Sequence, residues 1–262
     1  MPVGPTGPRT ARIAIVGEAP GEEEVRQGLP FVGPAGKVLD TALRQAGLLR
    51  EECYLTNIMQ ERPSRNDFAE FYTDKRRRQR TPALWAGIGR LKAELLEVRP
   101  NITILCGAEP LRALLEHRDI TARRGYLECW EGMKMLPTYH PSAVLHAADE
   151  RSYFPLLCFD MTKAKREAGY PELRLPKRNL QLRPPLVEAL HALQRLREDR
   201  KPIAFDIETE KGTTTWNCIA FSDSPGWAIC VPTRAACWGA DTGYITAIRA
   251  AVKELLEDSR VP

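Results

Sequence analysis

Short apolar runs alternate with longer amphipathic stretches through the first two thirds of the chain. Each run is six or seven residues long, and its central residues are apolar, as in a buried parallel strand. The stretches between the runs carry apolar residues at helical spacing. This alternation predicts βαβ units and a parallel sheet with helices on both faces. The predicted strands are 12–17, 53–59, 101–107 and 134–139, and the predicted helices are 36–46, 83–97, 111–116 and 153–168.

The pattern changes after residue 168. Residues 170–185 contain four prolines, many charges and no apolar periodicity, which is typical of a linker. A short helix is predicted at 186–197, followed by strands and a final helix that together form a unit small for an α/β domain. We therefore predict three parts: a first domain (1–168), a basic Pro-rich linker with a short helix (169–200) and the incomplete start of a second domain (201–262). The predicted elements of that second domain are strands 202–208, 217–221 and 226–231 and a helix at 244–256.

Composition is that of a globular protein, with 43% hydrophobic and 27% charged residues and a formal net charge of +4. These proportions argue against a disordered or fibrous chain. No apolar run approaches the roughly 20 residues needed to cross a bilayer, and the N-terminal residues lack an apolar leader. We therefore expect a cytoplasmic protein with no membrane partner. Seven cysteines are scattered without CxxC spacing, which indicates buried thiols rather than a disulfide framework or a zinc site. They are Cys53, Cys106, Cys129, Cys158, Cys218, Cys230 and Cys237.

Positive charge is concentrated in two segments. One lies within residues 75–80, and the other covers residues 163–183. Basic clusters on an otherwise balanced protein are typical of binding to a phosphate backbone. A solvated surface is the alternative interpretation for either segment alone. The first cluster consists of Lys75, Arg76, Arg77, Arg78 and Arg80.

A loop rich in glycine, proline and carboxylates follows the first predicted strand. It begins with GEAPGEEE at 17–24 and continues to GLPFVGPAG at 28–36. Ligands of α/β folds bind at this end of the strands. The glycine spacing is wrong for a dinucleotide site, and three consecutive glutamates would repel a pyrophosphate. Further polar positions follow the other predicted strands: Thr56-Asn57, then Cys106-Gly107, then His140-Pro141-Ser142.

These strings, in this order, resemble the signatures of the uracil-DNA glycosylase superfamily, most closely its family-four type, over residues 11–168. The resemblance implies a three-layer α/β/α domain with a central parallel four-stranded sheet. It also implies hydrolysis of the N-glycosidic bond of a flipped uracil in DNA, which is the first step of base excision repair.

The resemblance assigns chemistry to individual residues. Phe31 would stack on the base, Asn57 would pair with the uracil edge, and His140 would donate a hydrogen bond to the leaving base. Glu18 and Glu24 match the family carboxylates, and the sequence does not divide the catalytic role between them. Each of these side chains taken singly also has an ordinary structural interpretation, as a core aromatic, a cap or a loop contact. The substrate-binding set is Ala19, Pro20, Gly21, Phe31, Asn57 and Ser142, and Leu145 joins Lys75, Arg76, Arg77, Arg78 and Arg80 as the DNA-binding set.

One departure from the family pattern concerns cofactors. Family-four members carry a four-iron cluster on four cysteines, but this sequence has no N-terminal CxxC pair, and Glu61 stands where the third cysteine is expected. The helix near Trp85 contains no cysteine. We therefore expect no iron–sulfur cluster and no cofactor for the glycosylase. The basic residues at 75–80 occupy the region where the family pattern places the iron–sulfur cluster.

A second motif, FDIET at 205–209, places Asp206 and Glu208 on one face of a strand. Paired carboxylates of this kind bind divalent cations in phosphodiester hydrolysis. The motif resembles the first motif of the 3′–5′ exonuclease domain of family-A DNA polymerases, which implies a ribonuclease H-like α/β fold and Mg²⁺ or Mn²⁺ in a complete domain. No later residues resemble the remaining exonuclease motifs, so we expect a truncated, inactive exonuclease domain.

The two resemblances together predict a glycosylase module at the N-terminus of a DNA polymerase/exonuclease polypeptide from a bacterial or phage-infected cell. Its partners would be uracil-containing DNA and a polymerase domain in the same polypeptide. One alternative is a non-catalytic module that binds uracil or damaged bases and stalls the polymerase. Another makes the exonuclease the main activity and the first domain an accessory.

Overall fold

The computed structural model describes residues 2–146, 150–174, 177–234 and 241–261. The chain forms two compact units, Met1–Leu173 and Arg174–Pro262, each with its own apolar core. Among the described residues, no helix combines the length and the apolar character that crossing a membrane requires. Cys237 lies outside the described residues.

The first unit is built on a five-stranded sheet with the order β2-β1-β3-β5-β4. Four of these strands are parallel, and β4 runs antiparallel at one edge. Every residue of the four parallel strands is buried, which explains their nearly continuous apolar sequences. The strands are β1 (Ile13–Gly17), β2 (Cys53–Asn57), β3 (Ile102–Cys106), β4 (Glu128–Trp130) and β5 (Met133–Thr138).

Helices cover both faces of this sheet, as the alternating pattern predicts. Leu84, Leu91 and Leu95 of one long helix pack on one face, and Leu39 and Leu43 of another pack on the other face. The result is a three-layer α/β/α unit. Its helices are α1 (Glu22–Gln27), α2 (Pro34–Gln45), α3 (Pro82–Val98), α4 (Ala108–Leu115), α5 (Ile120–Arg123), α6 (Ser142–His146) and α7 (Glu150–Glu167).

The carboxyl ends of the parallel strands meet at one edge of the sheet. Gly17 pairs with Asn57, and Cys106 pairs with Thr138, so the loops that follow all four strands begin side by side. The longest of these loops, residues 58–81, connects β2 to α3 and contains two short 3₁₀ turns, Ser64–Asn66 and Phe68–Phe71. We call this segment the β2–α3 loop.

A buried lysine closes the opposite edge of the first unit. The side chain of Lys134, at the start of β5, is completely buried, and its ammonium group donates to the carbonyl oxygens of Glu167 and Tyr170 at 2.7 Å each. The carboxylate of Glu167 lies 3.3 Å away, and the Tyr170 ring lies 3.8 Å from the same nitrogen. These contacts tie the end of α7 to the sheet.

The second unit contains a four-stranded sheet with the order β6-β9-β8-β7. β7, β8 and β9 are antiparallel, whereas β6 pairs with β9 in parallel. Two helices pack on one face through apolar residues such as Leu193 and Ile248. Its elements are β6 (Asn179–Leu182), α8 (Leu186–Asp199), β7 (Ala204–Thr209), β8 (Trp216–Ser224), β9 (Trp227–Pro232) and α9 (Thr242–Glu257).

The structure corrects the predicted organisation in two places. The central sheet of the first unit has five strands rather than four, because the three residues of β4 are too few to show a pattern in the sequence. The predicted linker at 169–200 is not a separate segment. Residues from 174 onward belong to the second unit, since β6 joins its sheet and α8 buries Ala189, Leu193 and Leu196 in its core.

Candidate active site

A cavity of about 600 Å³ lies at the carboxyl ends of the parallel strands in the first unit. We call it the base cavity. The loop after β1, the end of β2, the β2–α3 loop and the segment after β5 all contribute to its lining. Of the residues predicted from the sequence, the base cavity brings together Glu18, Ala19, Gly21, Glu24, Phe31, Asn57, Arg77, His140, Ser142 and Leu145.

Phe31 and Asn57 are held side by side against Gly17. A Cβ atom added at Gly17 would lie 2.6 Å from the Phe31 ring and 2.3 Å from the Asn57 side-chain oxygen, so only glycine fits there. Phe31 itself has a φ of 56°, in the left-handed region that costs a non-glycine residue roughly 1–2 kcal/mol. Both side chains are buried to about 5% exposure. The packing thus presents a flat ring beside an amide.

Glu24 is a structural clamp. Its carboxylate accepts hydrogen bonds from the backbone N–H groups of Gly21, Val32 and Gly33 at 3.0, 2.9 and 2.7 Å. These donors lie at the start of α1 and just before α2, so one buried side chain joins both ends of the loop. Its two oxygens are engaged by three donors, which leaves the carboxylate little capacity for other chemistry.

Glu18 is in a different electrostatic position. Burial and the neighbouring charge of Glu109 raise its pKa to about 7, and Arg77 and Arg112 oppose that rise. Its carboxylate approaches Gly107 closely, since a Cβ added at Gly107 would lie 2.9 Å from the Glu18 oxygen and 3.1 Å from the His140 Cβ. Glu18 and His140 therefore flank the same glycine at the start of α4.

The ring of His140 is held in one orientation by the residue two positions on. Its Nδ1 accepts from the backbone N–H of Ser142 at 3.2 Å and lies 2.6 Å from the Ser142 hydroxyl. Because Nδ1 is an acceptor, the proton of the neutral ring is on Nε2. Burial lowers the pKa of His140 to about 4, with the charge of Glu24 opposing this shift, so the ring is neutral near pH 7. The site therefore contains a neutral imidazole N–H donor.

The β2–α3 loop forms one wall of the base cavity. The residues of this loop that line the cavity are Arg62, Pro63, Asn66, Asp67 and Phe68, and no site role was predicted for any of them. Arg62 lies 3.4 Å from Glu22 on the opposite rim. No local pattern in the sequence signals which residues of such a loop face a cavity.

A buried glutamate on α4 anchors this wall, and the sequence did not reveal it. Glu109 is 2% exposed and accepts from the Tyr72 hydroxyl at 2.5 Å and from Arg77 at 2.7 Å. Arg112 lies 3.2 Å from the same carboxylate. An acidic residue in the first turn of a helix is ordinary, so its burial under a loop 30–40 residues distant has no sequence signal.

The basic cluster divides into two groups. Arg77 binds Glu109, Arg78 binds Asp74 and Arg80 binds Glu116, so these three guanidinium groups have partners within the protein. Among the described residues, Lys75 and Arg76 have no ion pair. Leu145, the remaining residue of the predicted DNA-binding set, lines the base cavity from α6 and is 42% exposed. Pro20, predicted to bind the substrate, is buried and does not line the base cavity.

Four of the six cysteines that the structure describes lie in the first unit. Cys53 and Cys106 are buried within the sheet, Cys129 is exposed, and Cys158 donates to Gln45 from α7. In the described part of the chain, no group of three or more His, Cys, Asp or Glu side chains is arranged to hold a metal ion. The residues described here do not fit a four-thiolate cluster.

Asp206 and Glu208 project from β7, the edge strand of the second unit, and both are exposed. They share one face of the sheet because alternate residues of a strand point the same way. Within the described residues, they are not joined by a third metal-binding side chain. This pair alone does not fit a two-metal site.

The base cavity of the first unit suits a planar heterocycle with hydrogen-bonding edges, and a comparison with known sequences agrees with that geometry. The sequence profile of the uracil DNA glycosylase superfamily matches residues 5–164, which is more than half of the chain. The chain belongs to this superfamily. The prediction of an enzyme of the DNA glycosylase class is confirmed at the level of the family.

Individual proteins with sequences similar to this chain include uracil-DNA glycosylases. The chain is 38% identical over 138 residues to a type-4 uracil-DNA glycosylase of Thermotoga maritima, covering 51% of this chain and 66% of the relative. It is 34% identical over 158 residues to the type-4 enzyme of Archaeoglobus fulgidus, covering 56% and 74%. A DNA polymerase of Bacillus phage SP01 is 30% identical over 149 residues, which is 56% of this chain and 15% of the polymerase. The expectation of no iron–sulfur cluster gains no support from this family membership, because the resemblance to family four implies one.

Proposed function

We propose that the first unit removes uracil from DNA by hydrolysing the N-glycosidic bond of a flipped nucleotide. The observation that carries the proposal is that Phe31 and Asn57, packed together against Gly17, line the same cavity as the His140 N–H donor. A ring that stacks, an amide that offers both a donor and an acceptor, and a donor for the departing base are what uracil excision requires.

We further propose that Glu18, rather than Glu24, is the catalytic carboxylate. Glu24 spends both oxygens on backbone N–H groups, whereas the raised pKa of Glu18 near 7 suits a residue that exchanges a proton near neutral pH. Ionised Glu18 stabilises the developing positive charge on the sugar or orients the attacking water. Glu24 keeps the loop, and with it Phe31, in position.

His140 acts as a neutral donor. Its Nε2–H group stabilises negative charge on the leaving uracil, and Ser142 fixes the tautomer that makes this possible. Leu145, exposed on the rim, occupies the gap left by the flipped base. Lys75 and Arg76 contact the phosphate backbone.

The test uses an oligonucleotide that contains one uracil, incubated with EDTA and then treated with hot alkali. Scission at the uracil is expected, and His140→Ala should reduce its rate by about 10²–10³-fold, as loss of one such donor typically does. His117→Ala is the matched control, because His117 pairs with Glu128 away from the base cavity. Intact DNA together with uracil-dependent binding would instead support the alternative, a non-catalytic module that recognises uracil.

Three finer interpretations remain proposals. That the cysteines of the first unit do not hold a four-iron cluster is proposed from their placement in the sheet, at an exposed position and on α7, and the residue roles proposed here use no cluster. The link to a DNA polymerase is supported by the partial similarity to the phage enzyme. The second unit as the start of a ribonuclease H-like exonuclease domain is supported by Asp206 and Glu208 on β7 and by the antiparallel strands after it.

A further inference from the structure

A second, smaller cavity lies beside the base cavity and is lined almost entirely by arginines. Its volume is about 190 Å³, roughly a third of that of the base cavity. Glu116 is the one acidic residue in its lining among the described residues, and Trp85 contributes an aromatic edge. We call it the arginine pocket. Its arginines are Arg77, Arg78, Arg80, Arg112 and Arg118.

Two of these arginines form a fixed wall. Arg80 is 7% exposed, binds Glu116 through two hydrogen bonds of 3.0 and 2.8 Å and donates to the carbonyl oxygen of Arg112 at 2.8 Å. Its guanidinium group lies 4.7 Å from the centre of the Trp85 ring. Arg112 is held by Glu109 on its other side. The wall is therefore positioned before any ligand arrives.

The pocket also has binding capacity that the protein itself does not use. Arg118 is exposed and, within the described part of the chain, has no ion pair or hydrogen bond. Arg78 is 58% exposed although it contacts Asp74, and the buried Nε atom of Arg112 has no hydrogen-bond partner among the described residues. A concave site with several guanidinium groups is suited to an anion.

The adjacent base cavity indicates which anion. Arg77 lines both cavities, so the two cavities are neighbours, and the arginine pocket lies close to where a DNA strand would run if one of its bases entered the larger cavity. A lining made mostly of guanidinium groups suits a phosphate group rather than a second base. Guanidinium groups match phosphate oxygens in geometry as well as in charge.

From these observations we propose that the arginine pocket binds a backbone phosphate of the DNA strand, through Arg78 and Arg118 on the wall formed by Arg80 and Arg112. This inference rests on the proposed function in one respect, that DNA is the ligand. It adds a contact that is independent of sequence and of uracil, because phosphate contacts position a protein on DNA without reading bases.

The test measures binding of a fluorescent oligonucleotide without uracil, by anisotropy at several KCl concentrations. The double variant Arg78→Ala/Arg118→Ala is expected to bind about 10-fold more weakly at low salt. The slope of log affinity against log salt should become shallower by about 1, since loss of one phosphate contact changes it by about that much. Both side chains are exposed, and a thermal melt checks that the variant is folded.

Arg166→Ala is the matched control, because Arg166 is exposed and pairs with Glu167 at the opposite edge of the sheet. Its affinity and salt slope should equal those of the unmodified protein. A double variant that behaves like this control would overturn the proposal. So would tight binding of inorganic phosphate to the unmodified protein, abolished in the double variant, if DNA affinity stayed unchanged. Because the probe contains no uracil, failure of the glycosylase assay leaves this result interpretable.

Discussion

The two units of this protein both present carboxylates near strands, yet they place them in opposite environments. Glu18 and Glu24 line one cavity but differ in their surroundings. Burial and a neighbouring charge raise the pKa of Glu18, whereas backbone N–H groups donate hydrogen bonds to Glu24. Asp206 and Glu208 stand in solvent on an edge strand. In the sequence, the motif around each pair suggests a functional site equally well. Packing around the carboxylates, rather than the residue types, separates a formed site from an incomplete one.

The electrostatic consequence of this difference is specific. A carboxylate in water is ionised at neutral pH, whereas burial raises the pKa of Glu18 to about 7. A group with that pKa holds its proton in about half of the molecules near pH 7. The comparison therefore predicts that the rate of uracil excision depends on the first unit. It also predicts that this rate changes with pH because Glu18 ionises.

The largest effect is expected from Glu18→Gln, which keeps the shape and removes the charge. Uracil excision should fall by about 10²–10⁴-fold, the range for loss of a general acid–base group. In the unmodified protein the rate should rise with pH and level off above about 7, as Glu18 ionises. His140, with its pKa lowered to about 4, adds no change above pH 5. A flat rate profile between pH 5 and 8 would rule out Glu18.

The same variant makes an opposite prediction for stability. The folded state holds the proton of Glu18 more tightly than the unfolded state, so ionisation destabilises the folded protein as pH rises from about 4.5 towards 7. Glu18→Gln removes that penalty. Its melting temperature should exceed that of the unmodified protein at pH 8 and approach it at pH 4.5, as measured by calorimetry.

A smaller but more selective effect is expected from Asn57→Asp. The carboxylate lacks the N–H donor that pairs with the O4 oxygen of uracil, so excision of uracil should slow by about 10²-fold and the preference for uracil over cytosine should disappear. Asn66→Asp on the exposed rim of the base cavity serves as the control and should retain that preference. An unchanged preference in Asn57→Asp would remove this residue from base recognition.

The smallest effect is expected in the second unit. The double variant Asp206→Ala/Glu208→Ala should excise uracil within about 2-fold of the unmodified rate, because exposed substitutions away from a site rarely exceed 0.5 kcal/mol. Steady-state kinetics on the uracil oligonucleotide measure this. A large loss of activity would show that the two carboxylates contribute to excision and would end the contrast drawn between the units.

Much of the fold of the first unit was predictable because its strands are buried on both faces. Where continuous apolar runs such as residues 102–106 alternate with amphipathic helices, few structures other than a buried parallel strand explain them. β6 escaped prediction for the opposite reason. Its residues are mostly exposed, and its strand conformation comes from pairing with β9, far along the chain. The residues of β6 alone do not indicate that the segment pairs with a strand so distant in the sequence.

The site was predictable to the extent that its residues lie in motifs that end or follow the parallel strands. Phe31, Asn57 and His140 were identified from short motifs, and the structure brings them to one cavity. The division of roles between Glu18 and Glu24 was not accessible, because it depends on which backbone N–H groups reach each carboxylate. Glu109 was missed for the same reason, since its partners come from a distant loop.

The buried Lys134 has a practical consequence for dissecting the chain. Its ammonium group is satisfied by the carbonyl oxygens of Glu167, the last residue of α7, and of Tyr170, so the first unit extends past its last helix to at least Tyr170. A truncated chain that ends at residue 173 retains both acceptors. One that ends at residue 166 leaves a cation buried without partners, which costs several kcal/mol. A first unit expressed alone must therefore include Tyr170. A protease used to release this unit must cut the chain after that residue.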